Sequence, residues 1–294
     1  MSERPAFGLA LGGGFLRGFA HLGVLGVLEE AGLRPDWISG TSAGAIAAAF
    51  AAFGHSAEET ADALEELDWG SMTKGRPRRL GLTTNEGLED LLIEVLGDVR
   101  LEEAAIPVAV VATDINTGNR VLLERGPVAR AVRASCCVPG LYVPVEMDGR
   151  LLVDGALTEN VPARAVREMG APFVVAVSLG FGLPYDNVRT LTQVMANAWD
   201  IATHGQMRFE ILAEADLLID PDLEDFSAFR DGERDQIVQA GRDRALEALP
   251  ALRELLAPEE PDNIIVRWMQ AVKERVAEAQ ATRGTTPRRA LPPG

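Results

Sequence analysis

Ser42 lies at the centre of a Gly-x-Ser-x-Gly pattern, which is typical of a serine nucleophile. The pattern runs from Gly40 to Gly44, directly after an apolar segment and directly before a helix-like run of small residues, Ala45 to Ala52. Glycines at both ends remove side chains where a strand turns sharply into a helix, and the serine is then exposed above the first N–H groups of that helix. The pattern also arises by chance in glycine-containing loops, so the flanking strand and helix carry the interpretation.

A serine nucleophile needs a base for its proton and donors for the oxyanion. Asp154 follows the short apolar run Leu151 to Val153 and precedes Gly155. Loops beyond the carboxyl ends of strands line the crevice of an open α/β sheet, where Ser42 would also lie. Desolvation there would raise the pKa of Asp154 towards the value that proton abstraction requires. The alternative is an Asp-Gly turn that bonds only its own backbone.

The three histidines offer alternative bases. His21 lies within the first predicted helix, His55 near the start of another, and His204 within an amphipathic helical pattern. Ser42, Asp154 and His204 follow the chain order of an α/β-hydrolase triad, but that histidine belongs in a loop after a late strand. We therefore favour a Ser–Asp pair and interpret the histidines as packing or surface residues.

A glycine-rich segment near the N-terminus offers backbone donors. The segment from Phe7 to Leu11 alternates like a strand and leads into Gly12-Gly-Gly14, and a helix is predicted from Phe19 to Ala31. Backbone N–H groups at such a junction bind anions. The glycine spacing matches neither the dinucleotide fingerprint nor the P-loop, which requires a lysine after its last glycine. The alternative is a tight turn that only packs a helix on a strand.

The elements that must position these residues alternate between strand and helix. This alternation predicts a largely parallel sheet with helices on both faces, in one large α/β domain or one domain with a small appendage. Ser56 and Glu59 form a predicted capping box. The predicted strands cover residues 7–11, 108–113, 121–123, 151–153, 173–179 and 217–219. The predicted helices cover 19–31, 61–67, 86–96, 127–135, 162–169, 188–201 and 236–256, and 136–144 is predicted to be irregular.

Composition limits the classes of function. The chain has 294 residues, and its formal net charge of −16 argues against nucleic-acid binding. No apolar run approaches the roughly 20 residues of a spanning helix, and the first residues lack the apolar core of a signal peptide. Cys136 and Cys137 are adjacent and poorly placed to form a disulfide. We therefore expect a cytoplasmic protein with no nucleic-acid partner.

Two segments depart from the α/β pattern. The first, from Trp69 to Leu80, concentrates four basic residues in an acidic chain, namely Lys74, Arg76, Arg78 and Arg79. We favour a solvated connecting loop here over a lid or lipid-facing patch. The second follows residue 225. It is predicted to be a helical extension packed on the domain over 226–280, with an amphipathic helix starting at Pro261, and a disordered tail over 281–294.

Three motifs, in this order, resemble those of the patatin-like phospholipases. They are similar to the glycine-rich loop, nucleophile elbow and Asp-Gly-Gly/Ala motif of that family, and they read Gly12-Gly-Gly-Phe-Leu-Arg-Gly18, Gly40-Thr-Ser-Ala-Gly44 and Asp154-Gly155-Ala156. Further segments resemble the bacterial members, namely Arg17 to Leu25, Ala112 to Gly118, Arg133 to Ser135 with Pro139-Gly140, and Asn160 to Pro162. The resemblance covers about residues 6 to 225, which we take as the catalytic domain.

The resemblance implies a three-layer α/β/α fold with a mostly parallel central sheet. It also implies a serine acyl hydrolase of the phospholipase A or lysophospholipase type, which needs no cofactor and no metal. Ser42 would be the nucleophile and Asp154 the base. Backbone N–H groups around Gly13, Gly14 and Phe15 would form the oxyanion hole, within a loop that also contains Gly12 and Arg17.

The expected substrate is a phospholipid or lysophospholipid, reached from the cytoplasm by peripheral contact with the inner membrane surface. An acyltransferase with the same dyad and a weakly active lipid-binding regulatory protein are the alternatives. Phe15 departs from the family pattern, in which the residue two before the arginine is usually glycine or small. A positive φ there would strain a bulky residue, but we favour a ring that lines the acyl pocket.

Overall fold

A central sheet with helices on both faces organises the protein. The computed structural model describes residues 5–65, 79–180, 194, 197–199, 201–203, 213–226 and 232–257. Within these ranges the main sheet has eight strands in the order β10-β9-β1-β2-β4-β8-β7, and β5 pairs with β4. The strands are β1 Phe7–Leu11, β2 Trp37–Thr41, β4 Val108–Asp114, β5 Asn119–Leu123, β7 Val145–Met147, β8 Arg150–Asp154, β9 Phe173–Val177 and β10 Leu217–Ile219. A separate pair consists of β3 Gly81–Thr83 and β6 Gly140–Tyr142.

The centre of the sheet is parallel, as the alternating pattern predicted. Strands β10, β9, β1, β2 and β4 all run in one direction. Every residue of β1 and of β4 is buried. Parallel strands covered by helices on both faces need apolar residues at every position, and both strands are rich in such residues.

Alternate residues of β1 belong to different layers. Leu9 and Leu11 pack into the larger hydrophobic cluster, whereas Ala10 packs into a second cluster with Val161 and Val166. Since successive strand residues point to opposite faces, the two clusters lie on opposite sides of the sheet. The chain therefore has the predicted three-layer α/β/α architecture. The described α-helices are α1 Ala20–Glu30, α2 Ala43–Ala52, α3 Ala57–Glu65, α4 Glu86–Leu96, α5 Val128–Ser135, α6 Ala163–Glu168 and α7 Arg234–Leu255.

Strand β8 runs against the direction that a wholly parallel sheet would give it. It is antiparallel to β4, and Asp154 pairs with Ala112. Strand β2 is parallel to β4 and ends with Thr41 opposite Val111. Strand β5 occupies one edge of β4, so β2 and β8 pair along the opposite edge. Their C-terminal ends meet there at consecutive positions of β4. Asp154 therefore approaches the end of β2 from the opposite direction to the one that we expected.

Several boundaries differ from the sequence prediction. The Ser56–Glu59 capping box is present, with Ser56 N–H donating to Glu59 at 2.8 Å and Glu59 N–H donating to Ser56 Oγ at 3.1 Å. It starts α3 at Ala57 rather than at Ala61, because the helix begins directly after its cap residue. The predicted first helix begins instead with a 3-10 turn, Phe15–Phe19, before α1.

The stretch 136–144 is more regular than we expected, because β6 within it pairs with β3 in parallel. No turn links these two strands, so their pairing leaves no local pattern in the sequence. Among the described residues, none of the helices is long and apolar enough to cross a membrane.

Helix α7 packs across α1. A Cβ atom on Gly241 would lie 2.0 Å from the carbonyl oxygen of Ala20, so the two helices approach closely at this glycine. The Arg242 guanidinium pairs with the Glu30 carboxylate at 2.7 Å beside the crossing. The boundaries assigned to the catalytic domain, the helical extension and the tail stay predictions. Residues 69–78, His204 and the region from 258 onward lie outside the described residues.

Candidate active site

Ser42 lies at a sharp turn between β2 and α2, as the Gly-x-Ser-x-Gly pattern predicted. Its backbone adopts φ 52° and ψ −121°, a conformation that costs a non-glycine residue on the order of 1–3 kcal/mol. A Cβ atom on Gly44 would lie 2.0 Å from the carbonyl oxygen of Leu11, so the start of α2 presses directly on the end of β1. The turn therefore places the serine at the C-terminal edge of the parallel strands.

Ser135 holds the backbone of this turn. The N–H of Ser42 donates to Ser135 Oγ at 2.8 Å, and the Ser135 hydroxyl donates to the carbonyl oxygen of Val111 at 2.6 Å. Ser135 is fully buried at the end of α5. The hydroxyl thus links the strained residue to β4, and this link helps the surrounding structure to retain the conformation of Ser42.

The side chain of Asp154 lies against that of Ser42. The N–H of Ala156 donates to Asp154 Oδ1 at 2.9 Å, and the Ser42 side chain lies close enough to the carboxyl group to influence its pKa. Asp154 is 2% exposed, and this burial raises its pKa to about 7, although the Ala156 N–H and the Ser42 hydroxyl both act to lower the pKa. A carboxylate with a pKa near neutrality is a competent general base at physiological pH.

Cys136 is a neighbour of this pair that the sequence analysis did not assign to the site. Its thiol lies close enough to Ser42 and to Asp154 for both side chains to influence its pKa. Burial, followed by the Asp154 charge, raises the pKa of the Cys136 thiol well above its ordinary value. The thiol is therefore protonated at neutral pH and is a poor nucleophile.

The glycine-rich loop is held by contacts on several sides. The N–H of Gly12 donates to the carbonyl oxygen of Val177 at 3.0 Å. The N–H of Gly13 faces two oxygens of Asn160, the backbone carbonyl at 3.2 Å and Oδ1 at 3.0 Å. Gly13 was predicted to donate to an oxyanion, and in this structure its N–H is already engaged. Gly14 N–H, by contrast, has no acceptor within the described part of the chain.

Phe15 has a left-handed backbone, with φ 54°, and a half-buried side chain. The backbone condition that would strain a bulky residue at this position is therefore met. Arg17, two residues later, donates from Nε to the carbonyl oxygen of Phe226 at 2.9 Å. This contact ties the 3-10 turn to the segment that follows β10.

His21 is a structural residue of the loop. Its Nε2 lies 2.7 Å from the carbonyl oxygen of Gly12, so that nitrogen carries the proton and donates. The side chain is fully buried, and burial lowers its pKa to about 4, although the bond to Gly12 acts to raise it. His21 is therefore neutral at physiological pH and supports the loop.

The structure brings together Ser42, Asp154 and the glycine-rich loop, which the sequence analysis had assigned to one site. It adds Ser135, Cys136 and Asn160, which that analysis had not assigned to the site. The signal for Ser135 and Asn160 was present, because both lie in segments that resemble the bacterial patatin-like proteins. Spacing alone could not assign them, since Asn160 lies 147 residues from Gly13 and Ser135 lies 93 residues from Ser42.

A polar cavity of about 630 Å³ opens near the end of β4. Three arginines and two carboxylates contribute to its lining, namely Arg120, Arg150, Arg164, Asp114 and Glu159. Neither Ser42 nor Asp154 lines this cavity. It is therefore separate from the Ser42–Asp154 pair.

Comparisons with known proteins match the same region. The family model of the Patatin-like phospholipase matches residues 9–167. An uncharacterized NTE family protein of Mycobacterium tuberculosis is 36% identical over 188 residues, which cover 60% of this chain and 50% of that protein. Patatin-like phospholipase domain-containing protein 6 of Mus musculus is 37% identical over 182 residues, which cover 58% of this chain and 13% of that protein.

The fold has a counterpart among solved structures. The crystal structure of VipD from Legionella pneumophila superimposes with a TM-score of 0.57 at 15% identity, covering 84% of this chain and 67% of that one. At this identity the likeness shows the fold alone. The present chain spans about half the length of the curated relatives that match it first. Because the family model covers more than half of the chain, including Ser42 and Asp154, this chain belongs to the patatin-like phospholipase family.

Proposed function

We propose that this chain is a serine acyl hydrolase that cleaves the acyl esters of phospholipids or lysophospholipids. Ser42 is the nucleophile and Asp154 is the general base. The observation that carries the proposal is that the end of β2, directly before Ser42, and the end of β8 at Asp154 meet at consecutive positions of β4, where burial raises the pKa of the Asp154 carboxyl group to about 7. Membership of the patatin-like phospholipase family supports a lipid ester as the substrate.

The first half of the reaction transfers the acyl group to the enzyme. Asp154 accepts the hydroxyl proton of Ser42 while Oγ forms a bond to the carbonyl carbon of the ester. Backbone N–H groups of the glycine-rich loop stabilise the oxyanion. When the tetrahedral intermediate collapses, the bond to the lipid alcohol breaks, and the alcohol takes the proton from Asp154. The acyl group remains on Ser42.

The second half repeats these steps with water. Asp154 accepts a proton from a water molecule as the water oxygen attacks the acyl carbonyl carbon. The bond to Ser42 Oγ then breaks, and Oγ recovers the proton from Asp154. A free fatty acid leaves, and both residues return to their starting states. Asp154 must be ionised at the start of each half, so activity should rise with pH through a midpoint near 7.

Hydrolysis of p-nitrophenyl esters and of a defined lysophospholipid tests the proposal. The unmodified chain should release p-nitrophenol and fatty acid, and Ser42→Ala should release neither above background. Asp154→Asn keeps the shape of the side chain but cannot accept the proton, so its rate should fall by about 10² or more. If Ser42→Ala retained hydrolysis of either substrate, the assignment of the nucleophile would be wrong.

A further inference from the structure

The glycine-rich loop lies in contact with Asn160, which belongs to the segment that follows β8. Both oxygens of Asn160 face the N–H of Gly13, at 3.2 Å for the backbone carbonyl and 3.0 Å for Oδ1. Asn160 is 9% exposed, so the side-chain bond is shielded from water. Breaking it would leave a buried N–H with only its weaker backbone contact, which is costly.

The loop is held tightly between Asn160 and the nucleophile. A Cβ atom on Gly13 would lie 2.7 Å from Asn160 Oδ1 and 3.1 Å from the Cβ atom of Ser42. Gly13 therefore lies close to both residues, and the space between them leaves no room for a side chain at this position.

Asn160 is itself anchored through the preceding residue. The carbonyl oxygen of Glu159 accepts the Thr41 hydroxyl at 2.9 Å, directly before Ser42 in the chain. The Glu159 carboxylate accepts the N–H of Ala165 at 3.1 Å at the start of α6 and pairs with Arg120. Glu159 is 3% exposed, so these contacts fix the backbone that carries Asn160.

This arrangement changes which N–H group is available to a substrate. The N–H groups of Gly12 and Gly13 are both engaged within the protein. Gly14 follows them, and its N–H has no acceptor among the residues that the structure describes. Such an N–H group can donate to a bound substrate, and the hydrogen bond of the preceding residue holds it in place. Both properties suit it to oxyanion stabilisation.

We propose that Asn160 is a positioning residue of the oxyanion hole. By binding Gly13 N–H, it holds the loop against Ser42 so that Gly14 N–H faces the developing oxyanion. The inference rests on the proposed function, because it presupposes attack by Ser42. Asn160 acts through the loop and does not touch the reacting atoms.

The test compares Asn160→Ala with Asn85→Ala as a matched control. Asn85 is also a buried asparagine, at 2% exposure, but it bonds to Arg133 and not to the loop. For Asn160→Ala we expect kcat to fall by about 10², the scale of losing one oxyanion donor, while KM changes less than about twofold. The control should lose less than about threefold in kcat. If Asn160→Ala retained kcat, or raised only KM, the proposal would be overturned.

A trifluoromethyl ketone provides a readout that a merely structural role would not change. Such a ketone adds to the serine and carries an oxyanion, so its affinity reports the oxyanion hole. In Asn160→Ala the affinity should weaken by the same factor as kcat/KM. A non-hydrolysable ether analogue of the lysophospholipid should bind as it does to the unmodified chain. Unchanged ketone affinity, with kcat reduced, would contradict the proposal.

Asn160→Asp decides the question if the alanine variant does not fold. This substitution keeps the shape and an oxygen acceptor for Gly13, but it brings a negative charge to the loop that must stabilise another negative charge. We expect normal folding, a reduced kcat and a matching loss of ketone affinity. An Asn160→Asp protein with the kcat of the unmodified chain would overturn the proposal.

The failure of this inference is distinguishable from the failure of the proposed function. If the unmodified chain hydrolyses esters and depends on Ser42, the function stands whatever Asn160→Ala does. If the unmodified chain neither hydrolyses esters nor reacts with a fluorophosphonate, the proposed function fails, and the role of Asn160 fails with it.

Discussion

At the scale of single residues, the proposed chemistry depends on one buried carboxylate. Asp154 is 2% exposed, and its pKa is raised to about 7 because burial disfavours the charged form. The burial that suits this residue to its proposed role as a base also has an energetic cost. Ionising the carboxyl group within the folded protein is less favourable than ionising it in the unfolded chain.

We predict that Asp154→Asn stabilises the protein at alkaline pH. The unfolded carboxyl group has a pKa of about 3.9, so the folded protein loses stability as pH rises from about 4 to about 7. A difference of about three pKa units corresponds to at most about 4 kcal/mol. Urea unfolding at pH 8 should therefore show a more stable Asp154→Asn variant, and the advantage should shrink towards pH 4.

Asp148→Asn is the control, since Asp148 is exposed in the turn before β8, and asparagine, like aspartate, can adopt the positive φ of 50° found there. This variant measures what replacing an exposed carboxyl group with an amide does to the unfolding free energy at pH 8. If both variants behaved alike at pH 8, Asp154 would not carry the predicted pKa shift.

Phe15 stores backbone strain beside the same site. Its φ of 54° lies in the left-handed region, which costs a bulky residue on the order of 1–3 kcal/mol. We predict that Phe15→Gly is more stable than Phe15→Ala by about 1 kcal/mol, because both variants lose the ring but only glycine relieves the strain. Urea unfolding of the two variants measures this difference directly.

The acyl-pocket interpretation of Phe15 makes a separate prediction. If the ring lines the pocket, Phe15→Ala should lower kcat/KM for long acyl chains and leave acetate esters almost unchanged. Equal effects on all chain lengths would argue against the pocket and leave strain as the main property of this position.

At the scale of elements, the site depends on how strands end. Strands β2 and β8 meet at consecutive positions of β4, with Thr41 opposite Val111 and Asp154 opposite Ala112. The local pattern around Ser42 predicted a strand, a turn and a helix, because each part is determined by nearby residues. The direction of β8 was not predictable in this way, since pairing between distant strands leaves no local signal.

The same distinction separates the site residues that the sequence analysis assigned from those that it did not. Ser42, Asp154 and the glycine-rich loop each belong to a short motif. Ser135 and Asn160 act through bonds to partners far away in the chain, and their types are common in loops and helix ends. Their contribution became visible only once the sheet had brought α5 and the segment after β8 to the end of β2.

We predict that the contact between α1 and α7 contributes strongly to stability. Gly241→Val should destabilise the protein by at least about 2 kcal/mol, because its Cβ atom would overlap the carbonyl oxygen of Ala20, 2.0 Å away. Leu246→Ala is the control on the same helix, since Leu246 is 45% exposed. Its effect on thermal unfolding should be much smaller. Equal effects of both substitutions would mean that the close crossing is not important for stability.

At the scale of the whole molecule, charge is unevenly distributed along the sequence. The chain has a net charge of −16, yet Arg76, Arg78 and Arg79 lie close together in one segment. If that segment contacts an anionic membrane, replacing all three with Ser should weaken binding to anionic vesicles by about 1 kcal/mol for each charge. Vesicle flotation at low and high salt measures the effect. Equal binding would favour a solvated connecting loop.

We have proposed that Ser42 is an activated nucleophile with Asp154 as its base. Intact-mass analysis after treatment with a fluorophosphonate tests this claim without knowledge of the natural lipid. We expect a single adduct that maps to Ser42 and forms faster as pH rises through about 7. The adduct should be absent from Ser42→Ala and should form at least about 10² times more slowly in Asp154→Asn. Labelling of Ser42→Ala, or unchanged labelling of Asp154→Asn, would contradict the claim.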